Sequence, residues 1–168
     1  MLPKGKVPWA LTVSRVVAVP FLVYSFIQNM TAVSYVLFLF AISTDFMDGY
    51  VAKKFDAASR LGSYFDVTAD FLLVFGMFTV FVFEGFYEWW ILVLVGFVFV
   101  QFVLTSVYLK RAVYDPVGKY YGSLMYGGVG LTLLSQEQIM LSVVSGGVLV
   151  CTVAALVSRV VYFVLKRK

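Results

Sequence analysis

Four aspartates stand where this chain can least easily carry charge. Asp45 and Asp48 are spaced i, i+3, and Asp66 and Asp70 are spaced i, i+4, so on helices each pair lies on one face. The runs around them are apolar enough to read as membrane helices. An Asp near the bilayer centre costs about 2.5–3.5 kcal/mol, and four would cost on the order of 10 kcal/mol unless shallow depth, protein burial or bound cations relieve it. Such a cost points to function. Gly49 and Ala52 continue the Asp45 face, and Gly62 precedes Asp66 by one turn, so small residues let a ligand approach both backbones. The polar link from Lys53 to Arg60 carries three cations and Asp56. Hard oxygen donors converging from two helices suit Mg²⁺ or Mn²⁺ rather than zinc. The neighbouring cations and small residues suit a phosphate-bearing ligand.

The elements that must position these acids follow from composition. With 168 residues, 62% hydrophobic and only 13% charged, the chain reads as one all-α, polytopic membrane domain, 1–168. Six spans are expected, over about Thr12–Gln28, Ser34–Lys53, Leu61–Phe83, Trp89–Leu109, Tyr120–Leu134 and Ile139–Leu165. A short juxtamembrane arm, Met1–Trp9, precedes them. Pro20 is expected to kink the first helix. The glycines of the fifth (Gly122, Gly127, Gly128, Gly130) suit close packing but leave its continuity open. There is no histidine and one cysteine, Cys151, which excludes a zinc site and an internal disulfide framework. A secretory leader is disfavoured, because Arg15 interrupts the first apolar run and no small-x-small cleavage site follows near Gln28.

Cations set the expected orientation. The connections at Gln28–Ala32, Glu84–Glu88 and Ser135–Gln138 contain no Lys or Arg, whereas Lys4, Lys6, Lys53, Lys54, Arg60, Lys110, Arg111, Lys119 and the terminal Lys166–Lys168 fall on the other side. Both termini and the Asp cluster therefore face the cytoplasm. The net charge of +4 is explained by these flanks, and nucleic acid is not expected as a partner. Tyr87, Trp89 and Trp90 fit an interfacial belt.

In order, the pattern runs Asp45, two residues, Asp48-Gly49, two residues, Ala52-Lys53, eight residues, Gly62, three residues, Asp66, three residues, Asp70. This resembles the signature of the CDP-alcohol phosphatidyltransferases, integral-membrane enzymes of phospholipid synthesis. Seven of eight fixed positions match; Lys53 stands where the family usually has Arg, which keeps the charge but loses a bidentate fork. The resemblance implies a CDP-linked lipid donor, a small alcohol acceptor, release of CMP, and two divalent ions held by Asp45, Asp48, Asp66 and Asp70. Asp70 is by resemblance the general base. Lys53 would neutralise the donor's phosphates, and Gly49, Ala52 and Gly62 would let the donor lie against the helices. A homodimer with one site per protomer, in the inner or only membrane of a prokaryote, is also implied.

Pro8, Thr12 and Arg15 resemble part of the family's opening segment, with Trp9 in place of its Asn. Pro8 and Thr12 then contact the donor nucleotide, or simply start a helix. Ser59 sits where some members place a hydroxyl against the CDP group; the alternative is a solvated loop serine. Gly118-Lys119 looks like the family's Gly-Lys segment before the fifth helix, so Lys119 either holds an acceptor phosphate or snorkels. Arg159, two turns before the terminal cations, either snorkels or faces an inner polar cavity with Lys110, Arg111 and Lys119. That cationic group leans towards a phosphate-bearing acceptor, glycerol phosphate or inositol phosphate, and does not decide between them. Whether the donor is an ester or an ether lipid also stays open. The rival from another class is a small cation- or proton-coupled transporter using the intramembrane acids. Against it, no acid lies within the last three spans and no inverted repeat is evident. A purely structural reading instead pairs the four acids with Lys53, Lys54, Arg60 and Arg15.

Overall fold

A computed structural model describes the backbone of residues 6–54, 60–108 and 118–166, and the side chains of residues 13–45, 65–105 and 120–161. Among these residues all regular structure is helical: α1 (Lys6–Ile27), α2 (Thr31–Lys54), α3 (Arg60–Phe83), α4 (Trp90–Tyr108), α5 (Gly118–Leu134) and α6 (Gln138–Lys166). The expected helices are all present, with ends shifted by a few residues. The largest difference is at the start. Residues 6–9, expected to lie in the arm before the first helix, already belong to α1, because a proline in the first helical turn gives up an N–H that would have no partner there. Pro20 lies inside α1 without ending it, and α5 is continuous through Gly127 and Gly128.

Two described segments are long and apolar enough to cross a membrane, Phe65–Phe83 and Gln138–Val161. Val13–Ile27, Thr31–Asp45 and Trp90–Thr105 are shorter apolar stretches. Their exposed faces are apolar too, with Val17, Phe21, Phe97, Leu104, Val150 and Val157 each more than half exposed. Charged residues would occupy such positions on a helix packed in water.

The helices divide into two compact units, Met1–Gly76 and Met77–Lys168, with the boundary inside α3. In the first, α1 packs on α2 as an antiparallel hairpin. Its turn is closed by a double bond pattern at the end of α1. Met30 N–H donates to Ser25 O at 2.9 Å and Asn29 N–H to Phe26 O at 2.9 Å, with Asn29 in the left-handed region at φ 56°. Asn tolerates that conformation better than most side chains. Ser25 and Ser34 hydroxyls, 2.9 Å apart and buried, tie the two arms just above the turn. Leu22, Phe38, Ala41, Ala69 and Leu73 fill the interior of this unit. A Cβ at Gly76 would come within 3.4 Å of Val19, so glycine there lets α3 sit close to α1.

In the second unit α6 packs on both α4 and α5. The end of α3 repeats the capping pattern with Gly85 at φ 79°: Phe86 N–H donates to Phe81 O and Gly85 N–H to Val82 O. The chain then returns as Tyr87, whose ring packs against Phe78 and Phe81. The Thr132 hydroxyl donates to Gly128 O, so the Tyr87 hydroxyl donates to Thr132, at 2.6 Å. Tyr121 and Thr152 make the equivalent buried link between α5 and α6 at 3.0 Å. Gly128 of α5 is in van der Waals contact with its neighbours, with Val144 at 3.4 Å from a built Cβ, whereas Gly122 and Gly127 have nothing within 4 Å.

Candidate functional site

Three helices of the first unit bring together one cation and two of the four acids. Arg15, from the middle of α1, is fully buried, with 0% of its side chain exposed. Its Nη1 donates to Asp70 Oδ1 at 2.5 Å and lies 3.2 Å from Asp45 Oδ1. Asp45 comes from α2 and Asp70 from α3, so one guanidinium nitrogen links carboxylates that are 25 positions apart in sequence. The Asp66 carboxylate, one turn before Asp70 on α3, is near enough to repel that of Asp45.

The helices place these groups for local reasons. The i, i+4 spacing sets Asp66 and Asp70 on one stripe of α3, and Ala69 beside them is buried with 1% exposure. On α2, Thr44 turns its hydroxyl back to Ala41 O at 2.8 Å and is buried, which leaves Asp45 next in line at 44% exposure. Asp70 is 26% exposed. A buried guanidinium between partly open carboxylates is an arrangement in which the acids can still receive a ligand while the cation cannot reach solvent. Charge pairing of this kind also offsets much of the cost of placing acids in apolar helices.

Asp48, Gly49, Ala52 and Lys53 fall on the last turns of α2 and Gly62 on the first turn of α3, with side chains outside the described set. Pro8 and Thr12 lie on α1 and Lys119 on α5, again by backbone alone. Ser59, Lys110 and Arg111 lie outside the described residues. Among the described residues no three His, Cys, Asp or Glu side chains form a metal-holding group by themselves. What is described is a pair of hard carboxylate donors turned towards one point, with a third close by. That donor chemistry fits Mg²⁺ or Mn²⁺, and Arg15 shares the point with it.

Arg159 belongs to the second unit. It is 4% exposed, its guanidinium carbon lies 5.5 Å from the centroid of the Phe102 ring, and its Nη1 is 3.5 Å from Thr105 Oγ1. Thr105 in turn donates to Gln101 O at 2.7 Å. The side chain is thus held against α4 rather than reaching along α6 to the surface.

Sequence reasoning placed Arg15 in the opening segment but not among the binding residues. The signal was a lone cation inside an apolar run, three residues past Thr12. Pairing with the acids is the purely structural alternative, but which acids Arg15 meets depends on packing across three helices, which spacing along one chain does not encode.

Comparison with known proteins gives the chain's family. The family model described as CDP-alcohol phosphatidyltransferase matches residues 6–165. A CDP-diacylglycerol--glycerol-3-phosphate 3-phosphatidyltransferase of Yersinia pestis (strain Pestoides F) is 35% identical over 88 residues, 51% of this chain and 48% of the relative. Proteins of the same name from Salmonella choleraesuis (strain SC-B67) and Salmonella paratyphi A (strain ATCC 9150 / SARB42) are 35% and 34% identical over the same shares. The chain therefore spans about half the length of the curated relatives it matches.

Proposed function

The chain belongs to the CDP-alcohol phosphatidyltransferase family, and on that premise we propose that it transfers a phosphatidyl-type group from a CDP-linked lipid to a small phosphate-bearing alcohol, releasing CMP. The observation that carries this reading is the meeting of Asp45 and Asp70 on Arg15, because it joins the two halves of the Asp pattern in one place. The acceptor is glycerol phosphate rather than inositol phosphate. Support comes from the relatives, whose shared name specifies glycerol 3-phosphate.

Asp45, Asp48, Asp66 and Asp70 would hold two divalent cations, Mg²⁺ or Mn²⁺, which when bound supply charge stabilisation at the donor's diphosphate. Asp70 takes the proton from the acceptor hydroxyl. The freed oxygen attacks the phosphorus that carries the lipid alcohol, the bond from that phosphorus to the bridging oxygen breaks, and CMP leaves with the electron pair. Lys53 neutralises donor phosphate. Gly49, Ala52 and Gly62 keep the helix surfaces low beneath the nucleotide, and Pro8, Thr12 and Ser59 line it. Lys110, Arg111, Lys119 and Arg159 bind the acceptor's phosphate.

All six helices span the membrane in this reading, as a single domain over 1–168 with both termini and the Asp pattern on the cytoplasmic side. The support is the near-complete reach of the family match and the one-sided distribution of Lys and Arg. The bilayer is a bacterial cell membrane, and the protein is a homodimer.

The test is CMP release by purified protein given CDP-diacylglycerol, Mg²⁺ or Mn²⁺, and one acceptor at a time. Metal-dependent CMP with glycerol 3-phosphate, abolished by chelation and restored by Mn²⁺, is expected. CMP with inositol phosphate alone would overturn the acceptor. Cation uptake into vesicles without CMP would favour the transporter instead.

A further inference from the structure

We infer that Arg15 is a positioning residue that serves as the internal counter-cation of the metal ligands: it holds Asp45 and Asp70 together while the site is metal-free, and a divalent ion must compete with it for the same oxygens. The inference rests on the proposed assignment of these aspartates as ligands. Its basis is geometric. One nitrogen, Nη1, is shared by Oδ1 of Asp45 and Oδ1 of Asp70, at 3.2 and 2.5 Å. The two oxygens that would serve as metal ligands are thus already engaged by one cationic nitrogen. Arg15 is fully buried, so it cannot hand its charge to solvent when the metal arrives. The acids are partly open, at 44% and 26%, so the metal can reach them from the exposed side.

Two consequences follow from placing a fixed positive charge at a cation site. Without metal, the guanidinium suppresses the mutual repulsion of Asp45, Asp70 and nearby Asp66, and so keeps the ligand set assembled. With metal, the same charge opposes the incoming ion, which holds affinity down and leaves the ion exchangeable. The second effect outweighs the first in the net affinity, because α1 packs on α2 and Gly76 of α3 lies against Val19 of α1, so the ion pair is not the sole link that positions the helices. An arginine whose only task was to satisfy two acids would show the stabilising effect and not the antagonism.

The experiment is Mn²⁺ binding to detergent-solubilised full-length protein, read by electron paramagnetic resonance of the free ion with no lipid donor present, alongside thermal unfolding in chelator. Arg15→Gln keeps polar contact and removes the charge; Arg15→Lys keeps the charge. Arg15→Gln is expected to bind Mn²⁺ about tenfold more tightly than the parent, to unfold at lower temperature in chelator, and to gain more from added Mn²⁺. Arg15→Lys is expected to stay within about threefold of the parent affinity, since it retains the opposing charge. Affinity unchanged or weakened in Arg15→Gln overturns the inference while leaving the metal site in place. No Mn²⁺ binding by parent or variant overturns the metal assignment and the inference together. Should Arg15→Gln fail to fold, the parent protein decides: the Arg15 guanidinium nitrogen resonance, identified by its absence from Arg15→Lys, is expected to shift saturably during Mg²⁺ titration. A resonance that stays put through saturation overturns the inference.

Discussion

Two buried arginines, one in each unit, make different described contacts. Arg15 meets the carboxylates of Asp45 and Asp70. Arg159 meets the hydroxyl of Thr105 and the face of Phe102. Carboxylates neutralise a guanidinium; a hydroxyl dipole and a ring quadrupole stabilise it without cancelling its charge. The difference suits two tasks. A guanidinium set between two acids organises the groups around it, and one seated on a ring and a hydroxyl is oriented against its neighbouring helix. Both are Arg rather than Lys, which matches the use of a planar head with several donors: Arg15 spans two acids and Arg159 covers a ring while reaching a hydroxyl.

The harshest way to break the comparison is Asp70→Asn. Asparagine keeps the shape but cannot accept a proton at neutral pH and is a poorer ligand for a hard cation. CMP release is expected to fall by at least about 100-fold. Arg15 retains Asp45 at 3.2 Å, so the loss in stability should stay below about 3 kcal/mol, measurable by thermal unfolding. Activity within a few-fold of the parent would remove Asp70 from the chemistry and return the acid–arginine cluster to a packing role.

Arg159→Met sharpens the other side. Methionine keeps an unbranched stem against Phe102 but carries no charge. The KM for glycerol 3-phosphate is expected to rise about tenfold, in line with the loss of one charge-assisted hydrogen bond, while the KM for the CDP-lipid is unchanged. A lowered melting temperature with both KM values intact would show that Arg159 only fills space between α4 and α6.

The contrast also marks what sequence can carry. The Asp pattern was readable because its meaning lies in spacing along two helices. The helices themselves were readable because an apolar chain this poor in charge leaves few alternatives. Pairing of Arg15 with the acids was open to sequence reasoning, but which acids it meets was not, and neither was the contact of Arg159 with Thr105: Arg15 and Asp70 stand 55 positions apart and Arg159 and Thr105 stand 54 apart. Hydropathy says that a buried arginine needs company and is silent on which company. The early start of α1 was half legible: Pro8 as a helix starter was one of two readings, and the structure places it in the first turns of α1. Likewise the α5 glycines read alike in sequence, and only packing singles out Gly128 from Gly127.

Thr105→Val gives the smallest effect and the finest discrimination. Valine matches threonine in shape, so the change removes an oxygen and little else. That oxygen is 3.5 Å from Arg159 Nη1, at the weak end of hydrogen-bond geometry, and its own proton goes to backbone carbonyls one turn back on α4. Losing it frees those carbonyls from a second donor at little cost, since each still serves its helix. Stability is expected to change by less than about 1 kcal/mol. The acceptor KM is expected to rise about two- to threefold, because the guanidinium keeps its charge and its seat on Phe102 but loses one aim point. Steady-state kinetics with glycerol 3-phosphate reads this directly. An effect as large as that of Arg159→Met would mean that orientation, not charge, is what Arg159 contributes. No effect at all would leave Phe102 as the partner that sets its direction, testable in turn by Phe102→Leu.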